Sequence, residues 1–329
     1  MRCAARDLLF TSGATEANNL AILGLAHAAK RLHDRPIPLI ASRAEHPASL
    51  APLRLLQQQG FPLHLVDIDS HAVADVDAML HQQMDEPNSL SVLQWANNET
   101  GVVQPIGKIA TQTSADHLWH CDAVQGIGKI PLDPSLWQAT TLSLSGHKFG
   151  APKGIGVLRL SENAMLDPLQ VGGGQQRSLR SGTESPALAA SFAHALRLAL
   201  NEQEASALRL QSLRKIFLNQ LQKLELPFIS NHCMESGLPN TLNLSFPDLD
   251  GRMLIPACDA DGLEVSAGAA CSSGAALPSS VLVAAGLTPE LARASVRISL
   301  GPEMGESETH EAANRLGKLL RRLYEVAKR

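Results

Sequence analysis

The chain has 329 residues, of which 44% are hydrophobic and 18% charged, and its net charge is −4. These proportions exclude an intrinsically disordered chain, and the slightly acidic balance leaves no global positive field to bind nucleic acid or an anionic membrane. The length favours two domains over one. With only 3% aromatic residues, the core is expected to consist of Leu, Ala, Val and Ile.

Cysteine usage and hydropathy indicate the compartment. The chain begins MRCAARDLLFTSG, without the apolar run of a signal peptide, and no apolar stretch of 18 residues occurs. The cysteines are odd in number and scattered, and they never form C-x-x-C, which is typical of free thiols in a reducing compartment. We therefore expect a cytoplasmic protein with no membrane or nucleic-acid partner. The five cysteines are Cys3, Cys121, Cys233, Cys258 and Cys271.

Strand and helix patterns alternate through the first two hundred residues. Helical spacing of apolar residues occurs in TEANNLAILGLAHAAKRL and PIGKIATQTSADH. This alternation predicts an α/β domain whose mostly parallel sheet is flanked by helices and binds ligands beyond the carboxyl ends of its strands. The predicted strands are, in chain order, DLLFTSG, IPLIAS, FPLHLVDI, SVLQWANN, HLWHCDA, TTLSLSG and GIGVLRL.

The pattern changes in the last third of the chain. A Leu- and Ala-rich helical region over about residues 184–224 is followed by predicted strands TLNLSF, LEVSAG and SVRISLG. Helices are predicted at about 250–260 and 306–327. We therefore predict a large domain over 1–201 and a smaller α+β domain over 202–329.

The stretch SLSGHKFGAPKGIG, residues 143–156, ends a run of small and apolar residues at Gly146, His147 and Lys148. A lysine on a glycine-flanked turn is held by the backbone and partly shielded from water. Desolvation disfavours its charged form, which makes it a better nucleophile toward an aldehyde. On position alone, an ordinary surface lysine is the commoner case.

Other strand ends carry groups suited to a phosphate and a ring. In TSGATEANN, Gly13, Ala14 and Thr15 lie where free N–H groups and a helix dipole attract phosphate; a plain N-cap at Thr15 is the equal alternative. In HCDAVQGIGK, Asp122 ends a strand, with Gln125 three residues later. A carboxylate there can pair with a protonated ring nitrogen.

Two further polar residues follow predicted strands. His46, in AEHPASL, is placed where a flat side chain can cover a bound ring, although a lone histidine there is more often a loop residue. Asn98, in ANNETGVVQPI, suits the same end of the sheet, and turn chemistry would equally favour asparagine.

The segment HLWHCDA offers a competing interpretation as a metal site. Its potential ligands are neighbours in one strand, and neighbouring side chains in a strand point to opposite faces. This geometry argues against a shared metal ion. The residues concerned are His117, His120, Cys121 and Asp122.

Eight motifs occur in one order and spacing: GATEANN, EHPA, NNETG, DAVQ, SGHKFGAPKGIG, GGGQQRSLRSGT, SAGAACSSG and SVRISLG. Together they resemble the cysteine desulfurases, which are pyridoxal-phosphate (PLP) enzymes of fold type I in the class V aminotransferase group. The resemblance covers about residues 7–325. One such motif can occur by chance, whereas eight in order are specific. The resemblance implies that Lys148 holds PLP as a Schiff base.

The resemblance also implies roles for the other positions. Asp122 is similar to the residue that pairs with the pyridine nitrogen, and His46 to the histidine that stacks on the ring and handles protons. Asn98 resembles the residue near the ring hydroxyl and the substrate. Arg297, in SVRISLG, resembles the arginine that grips the substrate carboxylate, a task for which its planar fork is better suited than lysine. Contacts to the phosphate and ring oxygen are implied for Thr15, Gln125, Ser145 and His147.

Thr183 and Cys271 extend the resemblance. Thr183, in RSGT, is similar to a residue that reaches the phosphate of the other subunit, which implies a homodimer with two shared sites. Cys271, in SAGAACSSGAALPSS, falls at the position of the family's nucleophile, on a loop of small residues with room to swing. An inert cysteine in such a run is the ordinary alternative. The other four cysteines match nothing in the family and are predicted to be buried structural thiols.

The implied reaction removes sulfur from L-cysteine. The substrate carboxylate binds Arg297, Lys148 abstracts the α-proton, and the Cys271 thiolate attacks the substrate sulfur. The products are L-alanine and an enzyme persulfide, whose sulfur passes to an acceptor such as an iron–sulfur scaffold or a thiolation protein.

Two departures from the family pattern leave rival interpretations open. The family begins with a further segment of several dozen residues, including an NAATTP-like strand, whereas this sequence starts just before FTSGATEANN. Part of the pocket wall is therefore expected to be missing: either the sequence is a truncated fragment, or another chain supplies that wall, or activity is weakened. At 301–304 the sequence has GPEM where the family tends to have Gly-Arg, which affects packing near Arg297. The rivals are a selenocysteine lyase or other class V enzyme, a catalytically idle binding protein, and a doubly wound domain without PLP.

Overall fold

The structure is a computed structural model that describes residues 3–114, 117–231, 237–267 and 277–327. The contacts divide the chain into two compact units. The first unit contains the segments up to residue 67, 74–97 and 104–203, and the second contains 68–73, 98–103 and the chain from 204 onward. The short segments 68–73 and 98–103 therefore pack with the C-terminal part of the chain, which their position in the sequence did not indicate.

The first unit is built on a seven-stranded sheet. Its strands are β1 (Leu8–Thr11), β2 (Leu39–Ser42), β3 (Leu63–Val66), β4 (Leu90–Val92), β5 (Leu118–Asp122), β6 (Thr141–Ser145) and β7 (Gly156–Leu160). Their order is β1-β7-β6-β5-β4-β2-β3. Strands β3, β2, β4, β5 and β6 are parallel, and β7 is antiparallel to both β6 and β1. Each predicted strand of this domain is found, and the predicted mostly parallel sheet is confirmed.

Helices flank this sheet, and their ends follow from local chemistry. They are α1 (Ala14–His33), α2 (Pro47–Gln58), α3 (Val76–Asp85), α4 (Ile106–Gln112) and α5 (Pro186–Asn201). Helix α1 packs its Leu and Ala side chains into the main core beside the sheet. It ends at His33, and the residue that follows, Asp34, is left-handed with a φ of +53°. Proline at the first position and a capping side chain before it begin α2 and α5.

The second unit is a smaller α+β assembly. It contains α6 (Gln203–Lys223), β8 (Ile229–Ser230), β9 (Thr241–Ser245), α7 (Gly251–Ala260), α8 (Ser280–Ala284), α9 (Pro289–Arg293), β10 (Ser295–Ser299) and α10 (Glu306–Ala327). The strands form an antiparallel sheet in the order β10-β9-β8. Apolar residues of α6, α7, α10 and the sheet form its core.

The helical region predicted over about 184–224 is found and consists of two helices, α5 and α6, separated at Glu202. Another prediction for the last third of the chain needs correction. The strand predicted for LEVSAG is reduced to an isolated bridge between Ser266 and Arg297 within the described residues. None of the helices in the described ranges is both long and apolar enough to cross a membrane.

Candidate active site

Lys148 stands at the carboxyl end of β6, on a turn that requires glycine. The strand runs into a single 3-10 turn, Gly146–Phe149, and Gly150 closes it with a φ of +92°. A Cβ atom on Gly146 would lie 2.9 Å from the Cβ of Ala151 and 3.0 Å from a methyl of Ile155, so a larger residue does not fit. The turn positions Lys148 as predicted, but the side chain is exposed instead of partly shielded, since the glycines around it offer no covering bulk.

Asp122, at the end of β5, is buried and held as a hydrogen-bond acceptor. Its Oδ2 accepts from the Asn18 side-chain amide at 2.7 Å, and its Oδ1 accepts from the Val124 N–H at 3.0 Å. Only 6% of the residue is exposed. Asn18 was not among the site residues predicted from the sequence. Helix α1 points its side chain inward, where it positions the carboxylate.

His46 caps the N-terminus of α2. Its Nδ1 accepts a hydrogen bond from the Ala48 N–H at 3.0 Å, so the neutral ring carries its proton on Nε2. Burial lowers the pKa of His46, the charge of Lys148 lowers it further, and the charge of Asp122 opposes both. His46, Asp122 and Lys148 therefore come from three different strand ends into one electrostatic neighbourhood, with a cation and an anion both acting on one ring.

A buried acid beside these three residues was not predicted from the sequence. Glu45 is 2% exposed, and its Oε1 accepts from the Gln94 N–H at 2.9 Å. Its Oε2 is buried without a hydrogen-bond partner among the described residues. Burial, reinforced by the charge of Asp122, raises the pKa of Glu45 well above its ordinary value. The feature of the sequence that could have identified Glu45 is its position between a fully buried strand and His46.

A cationic cluster surrounds Ser145 and His147. The Ser145 hydroxyl lies 2.9 Å from the Nδ1 of His147, and the Lys129 ammonium donates to the Gln125 side chain at 2.8 Å. The pKa of His147 is lowered by burial and by the charges of Lys148, Lys153 and Lys129, in that order. Three ammonium groups therefore contribute to the lowered pKa of one imidazole, an arrangement that favours an anionic ligand.

The N-terminus of α1 lies against this cluster. A Cβ on Gly13 would lie 3.9 Å from the Ser145 hydroxyl, and a Cβ on Gly156 would lie 2.6 Å from the Gly13 backbone. The first N–H groups of a helix have no intrahelical acceptor and attract phosphate. Thr15 is exposed in this first turn. The donors and charges thus fit a phosphate group, while the Asp122 carboxylate fits a protonated ring nitrogen.

Asn98 and Arg297 lie in the second unit and contact each other. The Nη1 of Arg297 donates to the Asn98 carbonyl at 2.9 Å. The Arg297 Nε is buried and has no hydrogen-bond partner in the part of the chain that the structure describes. A buried donor on a half-buried guanidinium is suited to a carboxylate ligand.

The remaining predicted residues are less informative. Thr183 is exposed before α5, three residues after Arg180, which forms an ion pair with Glu16 of α1 at 2.7 Å. Cys271 lies outside the described residues, as does Cys233.

Among the other cysteines, Cys3 is half-buried, which corrects the prediction of a buried thiol; it lies just before the N-terminal turn, Ala5–Asp7. Cys121 and Cys258 are buried, and burial raises the pKa of the Cys258 thiol to about 11.

The alternative metal site is not assembled among the described residues. No group of three or more His, Cys, Asp or Glu side chains has metal-binding spacing there. His120 instead places its Nε2 3.1 Å from the Asn18 side-chain oxygen and its Nδ1 2.9 Å from the Thr141 hydroxyl. Burial lowers the pKa of His120 to about 3, so the ring is a neutral hydrogen-bonding group.

Comparisons with known proteins agree over nearly the whole chain. The family Aminotransferase class-V matches residues 3–311. Cysteine desulfurase IscS of Klebsiella pneumoniae is 37% identical over 325 residues, covering 98% of this chain and 79% of that protein. Cysteine desulfurase IscS 1 of Archaeoglobus fulgidus is 34% identical over 316 residues, covering 95% and 80%. The solved structure of a NifS-like protein superposes with a TM-score of 0.86 at 30% identity, covering 97% of this chain and 84% of that one.

This chain therefore belongs to the class-V aminotransferase family, and its fold is the type I fold of PLP-dependent enzymes. Within that family, its relatives named here are cysteine desulfurases of the IscS type and a NifS-like protein, as the sequence motifs implied.

Proposed function

We propose that this protein is a PLP-dependent cysteine desulfurase that converts L-cysteine into L-alanine and transfers the sulfur to an acceptor. The observation that carries the proposal is the grouping of Lys148, Asp122 and His46 after the parallel strands β6, β5 and β2, beside the cationic cluster around His147. The identity of 37% with an IscS enzyme supports the same reaction.

The residues of the first unit would hold the cofactor. Lys148 supplies the amine that binds its aldehyde, and Asp122 supplies the acceptor for its ring nitrogen. When bound, PLP withdraws the electron pair that deprotonation leaves on the α-carbon of the substrate. Phosphate and ring-oxygen contacts are assigned to Thr15, Gln125, Ser145, His147 and, from the other subunit, Thr183. Asn98, which belongs to the second unit, is assigned to the ring hydroxyl and the substrate.

The chain's own residues would carry out the proton and sulfur transfers. Arg297 binds the substrate carboxylate, and Lys148, once its amine is free, takes the α-proton. His46 carries its proton on Nε2 and serves as a proton donor. The Cys271 thiolate attacks the substrate sulfur and breaks the C–S bond, and the carbon fragment takes up protons to become L-alanine. The sulfur stays on Cys271 as a persulfide.

Residues 1–201 would form the PLP-binding domain, and residues 202–329 would form the small domain that carries Cys271. Two copies of the chain would form a homodimer in which Thr183 of each completes the site of the other. The free, scattered cysteines favour a cytoplasmic location. An iron–sulfur scaffold protein is the proposed acceptor, as the IscS relatives suggest.

One experiment tests the central claim. The purified chain is mixed with PLP, its visible spectrum is recorded, and alanine release from L-cysteine and L-selenocysteine is measured. Lys148→Ala should lose the covalent attachment, detected by borohydride reduction and peptide mass spectrometry, whereas the nearby exposed Lys153→Ala should keep it. Cys271→Ala should keep the colour but release no alanine, with Cys3→Ala as its control. A colourless protein, or full alanine release by Cys271→Ala, would contradict the proposal.

A further inference from the structure

Backbone pairing between β2 and β4 ends where β2 turns toward α2. The Leu90 N–H donates to the Pro38 carbonyl at 2.9 Å, and the evenly spaced bonds of a parallel pair recur at every second residue. A continued ladder would therefore bring the Gln94 N–H to the Ser42 carbonyl. The chain turns at this point instead, and the Ser42 carbonyl accepts from the Glu45 N–H at 3.2 Å. The Gln94 N–H is thus directed to a different acceptor.

The Glu45 side chain takes the place of the missing backbone acceptor. Its Oε1 accepts from the Gln94 N–H at 2.9 Å. The Gln94 side-chain amide also donates to the Ala44 carbonyl, which accepts a second hydrogen bond from the Asn97 side chain at 3.0 Å. These residues are all buried, and a buried carbonyl that loses its donors is costly. Gln94 therefore holds the chain directly before His46 at two points, a backbone carbonyl and a side-chain carboxyl.

The segment that contains Gln94 is fixed to β5 on its other side. The Trp95 N–H donates to the Asp122 backbone carbonyl at 2.8 Å. Because Trp95 follows Gln94 directly, the two residues join the strand end that carries Asp122 to the turn that carries His46. On that turn, the Nδ1 of His46 accepts from the Ala48 N–H at 3.0 Å. These hydrogen bonds fix the two chain segments from which the imidazole and the carboxylate extend.

We propose that Gln94 is a positioning residue for His46: its N–H and its side-chain amide hold segment 44–46 so that the imidazole is presented to the ring of bound PLP. This inference rests on the proposed PLP site and on the proposed place of His46 in it. An imidazole that is already fixed loses little conformational freedom when the cofactor binds, so the affinity for PLP rises. Gln94 needs no contact with the cofactor to have this effect.

A double-mutant cycle with His46 tests this role, because a residue that acts through His46 should have no effect once the imidazole is removed. Gln94→Met keeps a side chain of similar length and removes its donor. It should weaken PLP binding about tenfold, the loss of one hydrogen bond, and leave the PLP affinity of His46→Ala unchanged. Absorbance titration measures the wild type, both single variants and the double variant. Gln94→Ala removes the same donor without an apolar group against the carbonyl and should give the same pattern.

Gln83→Met is the matched control. Gln83 is a buried glutamine of α3 whose amide donates to the Ser91 hydroxyl at 2.8 Å and whose oxygen accepts from the Thr113 hydroxyl at 3.0 Å. The variant therefore also loses a buried side-chain amide, but neither of these hydrogen-bond partners belongs to segment 44–46. Gln83→Met should lower the melting temperature, as the loss of a buried amide does, and bind PLP as tightly as the wild type.

A measurement without PLP separates this inference from the proposed function. The NMR shifts of the His46 imidazole nitrogens, assigned with His46→Ala, report the tautomer and surroundings of the ring. Gln94→Met should move these shifts, and Gln83→Met should not. Unchanged PLP affinity in Gln94→Met, equal weakening with and without the imidazole, or unchanged His46 shifts would overturn the inference.

The proposed function can fail independently. If the wild type binds PLP but releases no alanine from L-cysteine, the desulfurase proposal fails, and the double-mutant cycle still decides the role of Gln94. If the wild type binds no PLP, the His46 shifts alone decide whether Gln94 positions the imidazole.

Discussion

The Asn18 side chain joins Asp122 to a buried histidine. Its amide nitrogen donates to the Asp122 carboxylate at 2.7 Å, so its oxygen must accept from the Nε2–H of His120, 3.1 Å away. The Nδ1 of His120 is then left to accept from the Thr141 hydroxyl at 2.9 Å. Each hydrogen bond in this network therefore has one direction, and Asp122 is the acceptor at its end.

Replacement of Asn18 by aspartate should break this chain. The Asn18→Asp variant places a second carboxylate against Asp122 in a buried site and removes the donor. We expect a loss of about 3 kcal/mol in the free energy of unfolding and at least a tenfold fall in alanine release. Thermal unfolding and activity assays measure both. Asn19→Asp, one residue later on a half-buried position, is the control; equal losses in both variants would rule out the specific role of Asn18.

The strand ends were predictable from the sequence because each apolar run stops at a polar or glycine-rich segment. Parallel strands bring such ends to one edge of the sheet, and so Asp122 and Lys148 could be placed together before any coordinates were known. His46 was placed by the same rule, since EHPASL follows a fully buried strand.

Side-chain partners from distant segments were not predictable. Asn18 contacts Asp122 across 104 positions, and Ser279 contacts Glu99 across 180. The exposure of Lys148 was also missed, because the turn fixes the backbone but supplies no side chain that covers the amine. The segment LEVSAG has the alternation of a strand, yet it pairs at Ser266 alone.

Gly156 allows β7 to pack closely against the start of α1. It lies on β7 between Thr11 and Ser145, and a Cβ there would come within 2.6 Å of the Gly13 backbone. Because backbone cannot yield as a flexible side chain does, Gly156→Ala should displace the start of α1. We expect a loss of about 1–3 kcal/mol in stability and at least tenfold weaker PLP binding, measured by absorbance titration.

The control for Gly156 is Gly301→Ala. Within the described part of the chain, no non-neighbouring atom lies within 4 Å of a Cβ at Gly301, so this alanine has free space there. Its PLP affinity and melting temperature should match the wild type. Wild-type PLP affinity in Gly156→Ala would show that the close approach of β7 to Gly13 is not needed for the cluster.

The raised pKa of Glu45 predicts that the difference in stability between the wild type and Glu45→Gln depends on pH. Its pKa is raised in the folded state by burial and by the charge of Asp122, so the folded protein binds more protons than the unfolded chain. The contribution of Glu45 to the free energy of unfolding is therefore fully present below the ordinary glutamate pKa of about 4.3. It is lost as the pH rises toward the raised pKa of the folded state. Glu45→Gln resembles the protonated acid and does not titrate. Its stability relative to the wild type should increase with pH, with a slope approaching about 1.4 kcal/mol per unit.

Denaturant unfolding between pH 5 and 8 measures this difference. The exposed Glu162→Gln, whose carboxylate contacts Arg6 at the surface at 3.3 Å, is the control and should follow the wild-type curve. A constant difference between Glu45→Gln and the wild type across this range would mean that the buried carboxyl does not change its protonation on folding.

Lys129 belongs to the cationic cluster, and the effect of its charge can be measured through the pKa of His147. Its ammonium donates to Gln125 at 2.8 Å, and its positive charge contributes to the lowered pKa of His147. Lys129→Ala removes that charge, so the pKa of His147 should rise toward its ordinary value, as followed by NMR titration of the imidazole.

The loss of the Lys129 charge should also weaken PLP binding about tenfold and reduce the dependence of that binding on salt, because one fewer cation would face the phosphate. Lys108→Ala, which removes an exposed partner of Asp77, should change neither quantity. An unchanged PLP affinity in Lys129→Ala, with the His147 pKa raised, would separate this charge from phosphate binding and leave the helix N-terminus and Ser145 as the phosphate donors.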